Sequence, residues 1–195
     1  ISDPISLSRI QFLERARELQ GKMIIDLKGK GFLKNPALGG SISATGLAYG
    51  DTAYEDMIVR VAVGDRRISF KGRMNFDLEG SYDFRDRGFT AAALFDRTDL
   101  TPYLAAAGRK SLGGVVSGTI RVAGNAAAPA RSDLRLSLGQ LELSSEGRRL
   151  VTSRQCEAVL SRGIFTIPGI NLSLLDSGWI VLGGKGNLSG PLAVT

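Results

Sequence analysis

From Ile68 to Phe84 every even-numbered residue is apolar or glycine, and every odd one between them is polar. The even set is Ile68, Phe70, Gly72, Met74, Phe76, Leu78, Gly80, Tyr82 and Phe84. The odd set runs from Ser69 to Asp83 and includes Lys71, Arg73, Asp77 and Glu79. Side chains of a strand alternate between faces, so the pattern predicts a ribbon with one apolar and one charged side. At about 3.3 Å per residue such a ribbon is roughly 55 Å long, whereas an ordinary strand has about 5–6 residues. As a single strand it has to line something long.

A chain of 195 residues with 43% hydrophobic and 23% charged side chains has the means to build a core and is not a disordered polymer. Its 25 glycines predict many turns, bulges and strand bends. The net charge of +6 raises the question of an anionic partner. The basic doublets Arg66-Arg67, Arg109-Lys110 and Arg148-Arg149 sit in turn-like contexts, and the other bases alternate with acids. They read as solvated strand faces and loop tips, with a basic surface toward anionic lipid heads as the competing reading. No nucleic acid partner is expected.

Chemistry is hard to place on this chain. Histidine is absent, which removes the usual general base near neutral pH and the commonest metal ligand. The lone Cys156 shares a strand face with Ala158 and Leu160 and reads as a small apolar filler. No nucleophile elbow or Walker-type loop occurs. The glycine clusters at 29–31 and 183–186 do not lead into a helix, as a phosphate loop requires. Acid pairs such as Asp83/Asp86 and Asp96/Asp99 lie beside turns and read as caps. The expectation is no enzyme, no metal and no cofactor. No apolar run reaches the length of a membrane-spanning helix, and the opening residues do not read as a signal peptide. Both ends of the chain read as cut from something longer.

One helix is predicted over residues 8–19, with Ser8 as N-cap, a stripe of Ile10, Leu13 and Ala16, and Gly21 as stop. Strands follow, through an Asn35-Pro36 loop, Ile42 to Tyr49, the run Met57, Val59, Val61, Val63, the ribbon, and Gly88 to Phe95. Asp99 to Gly108 predicts a short helix with Pro102 in its first turn. Further strands carry Ile120 and Val122, then Leu134, Leu136 and Leu138, where Gly139 permits a bulge and a change of phase. Strands at about 150–160, 164–167, 170–175 and 179–188 complete the series. The segment from Leu19 through Gly21 to Gly29, then Asn35-Pro36, is echoed by Val116 through Gly118 to Gly124, then Ala128-Pro129. The chain therefore divides into an N-terminal helical lead-in (1–21), a first β-repeat (22–110) and a second, incomplete one (111–195).

The order of these pieces resembles a known family. Leu-x-Gly-Lys-x-x-x-Asp-Leu-x-Gly at 19–29, Asn35-Pro36, Ser43 to Gly50, the alternating ribbon, Asp99-Leu-Thr-Pro-Tyr103 and the restart at Val116 to Gly124 are similar to the repeat region of the TamB and AsmA-like envelope proteins. The resemblance implies an all-β, elongated, antiparallel sheet curved into a U-shaped groove, the β-taco. It implies a periplasmic segment of an inner-membrane-anchored protein, phospholipid or another acyl-chain lipid as cargo, and an outer-membrane barrel of the Omp85 class as partner. The family has no catalytic motif to carry over. Its matched glycines, Gly21, Gly29, Gly118 and Gly124, would be turn and strand-end positions.

Alternation alone favours the closed core of a β-sandwich. Strand length, the repeat and the resemblance together turn the reading to a groove that acyl chains cover. The expected lining is Met57, Val59, Val61, Val63, Ile68, Phe70, Met74, Phe76, Leu78, Tyr82, Phe84, Ile120, Val122, Leu134, Leu136 and Leu138, with residues 99–108 folding over or bounding the groove as a lid. The alternative is an assembly scaffold whose open sheet edges pair with a barrel partner or client. An isolated fragment with such a face is expected to dimerise face to face.

Overall fold

The computed structural model describes residues 2–7, 19–32, 35–174, 178–187 and 192–194. Fifteen strands form one antiparallel sheet among them. In chain order they are β1 (Ile5–Ser6), β2 (Leu19–Phe32), β3 (Asn35–Tyr49), β4 (Thr52–Ala53), β5 (Met57–Gly64), β6 (Arg67–Arg73), β7 (Asp77–Asp83) and β8 (Gly88–Asp99). The helix α1 (Thr101–Ala106) precedes β9 (Leu112–Asn125), β10 (Asp133–Ser145), β11 (Arg148–Ser153), β12 (Cys156–Ser161), β13 (Ile164–Leu174), β14 (Trp179–Asn187) and β15 (Leu192–Val194). The path is a meander in which neighbours in sequence are mostly neighbours in space. Two layers are split: β4 and β5 lie end to end along β3, and β11 and β12 lie end to end between β10 and β13. The all-β fold predicted from the alternation is the fold observed.

The ribbon itself is not one strand. It is the hairpin β6–β7, with Arg67 opposite Asp83 and Arg73 opposite Asp77, closed by residues 74–76. Met74 and Phe76 therefore sit in the closing loop, and Phe84 in the next turn, 55% exposed. A three-residue loop brings residues of equal parity face to face, so the even set stays on one side through the reversal. The two-residue turn Asp65-Arg66 does the opposite: odd Val59, Val61 and Val63 oppose even Gly72, Phe70 and Ile68. Both of its residues have positive φ, at 51° and 60°, as the right-handed twist of a hairpin favours.

Other boundaries move as well. The predicted helix over 8–19 lies outside the described residues except for Leu19, which opens β2, and β2 continues past Gly21. Asn35 and Pro36 belong to β3, opposite Phe32 and Gly31, rather than to a loop. The strand expected at 150–160 is β11 and β12 with a break at 154–155, and the two expected at 164–167 and 170–175 are the single strand β13.

A line of irregularities crosses the sheet in register. It passes Gly21 in β2, Gly46 in β3, the break between β4 and β5, the loop 74–76, and the bulge at Asp96-Arg97 in β8. It continues through Gly118 in β9, Gly139 in β10, the break between β11 and β12, and Pro168-Gly169 in β13. Bulges bend strands, and aligned bulges bend a sheet. The line thus divides the sheet into a first panel, which contains β5, β6, β7 and β12, and a second, which contains β4 and β11. Gly21 and Gly118, the echoed positions, have φ of 138° and 155° and each faces the extra residue of its partner strand. They are mid-strand bend positions, not turns or strand ends.

Burial gives the direction of the bend. The buried described residues are Leu7, Ala44, Thr98, Val116, Ser153, Cys156 and Ala158, together with Gly72. All the strand residues among them lie within three positions of the crease, on the face that the register assigns to the apolar set. The sheet folds along the crease toward that face.

Candidate functional site

The register puts the predicted lining residues together. Val61, Phe70, Gly80, Ala91, Val122, Leu134 and Leu160 are successive cross-strand partners over seven strands. Val59 and Val63, Ile68, Leu78, Tyr82, Ile120, Leu136 and Leu138 flank this row on the same face, and Met57 continues it toward Ala44. Each of these is half-buried; none is fully buried. In a closed sandwich core they would be dry.

The surface area makes the same point. The chain exposes 13547 Å², against about 8,900 Å² for a compact monomer of this size. Apolar-face residues far from the crease are open to solvent: Leu27 is 44% and Leu38 41% exposed at one rim, Leu174 37% and Ile180 40% at the other. The arrangement is an apolar groove, packed at its floor and wet at its rims.

Sequence reasoning missed the lining of the second panel. Val116, Leu141, Leu143, Val151, Ile170 and Leu172 carry the apolar face into the second panel, beyond the crease. Val116 keeps the parity of Ile120 and Val122, but the extra residues in β10 and β13 and the β11–β12 break shift the phase by one, so an alternation followed from the first panel assigns the other five to the wrong side. The phase change at Gly139 was the readable signal.

Where β6 and β7 stop short, α1 stands in the second panel between β4 and β9. It is fixed by polar and aromatic contacts. Tyr54 Oη donates to the Pro102 carbonyl at 3.1 Å, and Tyr103 Oη donates to Asn75 Oδ1 at 2.6 Å. Asn75 Nδ2 donates to the Asp99 carbonyl, and Thr98 Oγ1 to the Asn75 carbonyl. Tyr103 meets Tyr54 edge-on at 5.7 Å, and tilted ring contacts join Tyr103 to Phe76 at 6.4 Å and Phe76 to Phe95 at 5.2 Å. Burial raises the Tyr103 pKa, with the Glu55 carboxylate adding to it. The expected lid is therefore a piece of the wall, and Phe76 lies at its seam, against Phe95 of the apolar face.

Among the described residues no group of three ligating side chains comes together. Cys156 lies buried on the floor beside the crease, and burial pushes its thiol pKa up. The Asp83 carboxylate is held below its usual range by the backbone N–H of Arg85 and by Arg67, with burial opposing; it caps a turn. No helix among the described residues is long and apolar enough to cross a membrane. No family model matches the chain, and neither does any curated protein or solved structure.

Proposed function

We propose that the chain is a segment of a periplasmic, membrane-anchored envelope protein that holds and conducts phospholipid acyl chains along its apolar groove. The observation that carries this reading is the half-burial of one continuous apolar face, folded inward along a crease and open at both rims. A face of this kind needs a cover, and each methylene that covers it contributes about 0.8 kcal/mol. Acyl chains supply methylenes without requiring specific polar contacts, and the charged outer face leaves head groups in water. No step of chemistry is needed.

The test is native mass spectrometry of the chain purified from bacterial envelope, with lipid extraction of the same sample. Co-purifying phospholipid should be lost in the Ile120→Asp, Leu136→Asp double variant. Leu27→Asp and Leu38→Asp, at exposed rim positions that tolerate charge, should lower the load while keeping the fold. A folded protein that carries no lipid and takes up none when phospholipid is added would sink the reading.

One observation favours a scaffold as a second reading. In β14, residues 180–182 pair with β13 on one side, while β15 covers only residues 184–186 on the other. This edge exposes Trp179 at 76% and Val181 at 50%. An added strand from a client or barrel partner fits there.

A further inference from the structure

We propose that the polar face of the first panel is a second binding site, for a phosphate-bearing ligand. This goes beyond the groove reading and does not depend on it.

A concavity of about 1000 Å³ spans β5 to β10 and β12. From each strand it takes three consecutive residues: the member of the Val61–Leu160 row and the residue on either side of it. The apolar-face residues two positions away, such as Ile68, Tyr82, Ile120 and Leu136, do not line it. A hollow on the apolar face would meet those side chains first. It therefore opens on the opposite, polar face, where the flanking residues point, and the row contributes its backbone as floor.

Two registers of side chains stand in this trough. One is small and hydroxylic, with Ser69, Ser81 and Thr90 on successive strands, Ser81 and Thr90 hydrogen-bonded at 3.1 Å. The other is Arg60, Lys71, Glu79, Ala92, Arg121, Arg135 and Val159. Arg60 is the direct cross-strand partner of Lys71, and Arg121 of Arg135. Like charges so placed destabilise a sheet. Lys71 is answered by Glu79 at 3.8 Å. Among the described residues no acid pairs with Arg60, Arg121 or Arg135. Asp133, the other acid in the trough, accepts a 2.6 Å hydrogen bond from Ser161.

Four cations thus face two acids around a hollow whose centre, at Ala92, is clear of long side chains. An anion between Arg121 and Arg135 relieves that like-charge pair, while Arg60 and Lys71, four strands away, add to the positive field of the trough. A phosphate fits better than a carboxylate, because its oxygens can take the planar forks of two arginines and still accept from the hydroxyl row. A free phosphate ester and a phospholipid headgroup offer the same chemistry.

The experiment is thermal unfolding of the whole chain against inorganic phosphate, with chloride at matched ionic strength as reference. Binding to the folded state raises the Tm saturably. The Arg121→Gln, Arg135→Gln variant should lose at least ten-fold in phosphate affinity, and without phosphate should melt at the same temperature or higher. Arginines placed there for stability alone would give a lower Tm. Arg148→Gln, Arg154→Gln, outside the trough, should bind as the native chain does. Sedimentation with phosphatidylglycerol vesicles separates the sources. Vesicle binding lost in the trough variant assigns a lipid headgroup; vesicle binding kept while phosphate binding is lost assigns a soluble ester. No phosphate effect beyond chloride, or equal loss in both variants, overturns the site. Leu27→Asp, which tests the groove, should leave phosphate binding unchanged, so the two proposals fail separately.

Discussion

Gly118 and Gly139 are neighbours at the crease, and substituting each by alanine separates bend geometry from glycine content. Gly118 has φ of 155°, and a Cβ there would run into the Ser137 carbonyl oxygen and lie 2.6 Å from the Leu138 Cα. These are backbone atoms and cannot swing aside. Strained φ in a non-glycine residue costs about 1–3 kcal/mol, and forced displacement of packed neighbours about 1–3 more. Gly139 sits opposite in the bulge with nothing within 4 Å of an added Cβ. Alanine there gains about 0.4–1 kcal/mol through the unfolded chain. Gly118→Ala should therefore be less stable by about 3 kcal/mol, and Gly139→Ala equal to the native chain or slightly more stable. In a chain this long, 1 kcal/mol moves the Tm by about 2–4 °C, so the variants should melt roughly 6–12 °C apart. Urea unfolding followed by circular dichroism reads the same difference. Equal stability of the two variants, or a greater loss in Gly139→Ala, would refute the assignment of the crease to Gly118.

The α1 seam predicts a pH response. With its pKa raised by burial, Tyr103 supports the fold fully below the ordinary tyrosine value of about 10 and withdraws that support as pH rises through its own higher value. Melting temperature should hold to about pH 9 and fall above 10. Tyr103→Phe should flatten that fall while costing about 1 kcal/mol for the lost bond to Asn75; an unchanged alkaline fall in the variant would place its cause elsewhere. Cys156, buried with a raised pKa, should resist a thiol reagent at pH 8 in the folded chain and react at the ordinary rate in urea. Fast labelling of folded protein would show that the groove floor opens.

The apolar face was legible because alternation survives any loop of odd length. For the same reason the reversal at Met74–Phe76 was not: nothing in Arg73-Met-Asn-Phe-Asp77 interrupts the parity, and no glycine or proline marks the turn. The crease was half legible. Gly139 and Pro168-Gly169 announce their bulges, whereas Asp96-Arg97 and Arg154-Gln155 are ordinary polar pairs whose role depends on the strand beside them. The polar trough was invisible in principle. Scattered arginines become neighbours only when register sets Arg121 against Arg135, and no periodicity along one strand reports how a sheet bows.

The alignment of irregularities also limits how such a chain can change length. An inserted residue on either side of the crease turns every side chain out to the next reversal onto the opposite face, moving leucines into water and arginines into the groove. Two inserted residues preserve the faces but slide that strand's bend out of line with its neighbours. A whole hairpin, bringing its own pair of bends, can be added or removed with neither penalty, because strands meet mainly those adjacent in sequence. Length in this architecture is quantised: the groove grows by hairpins, not by residues.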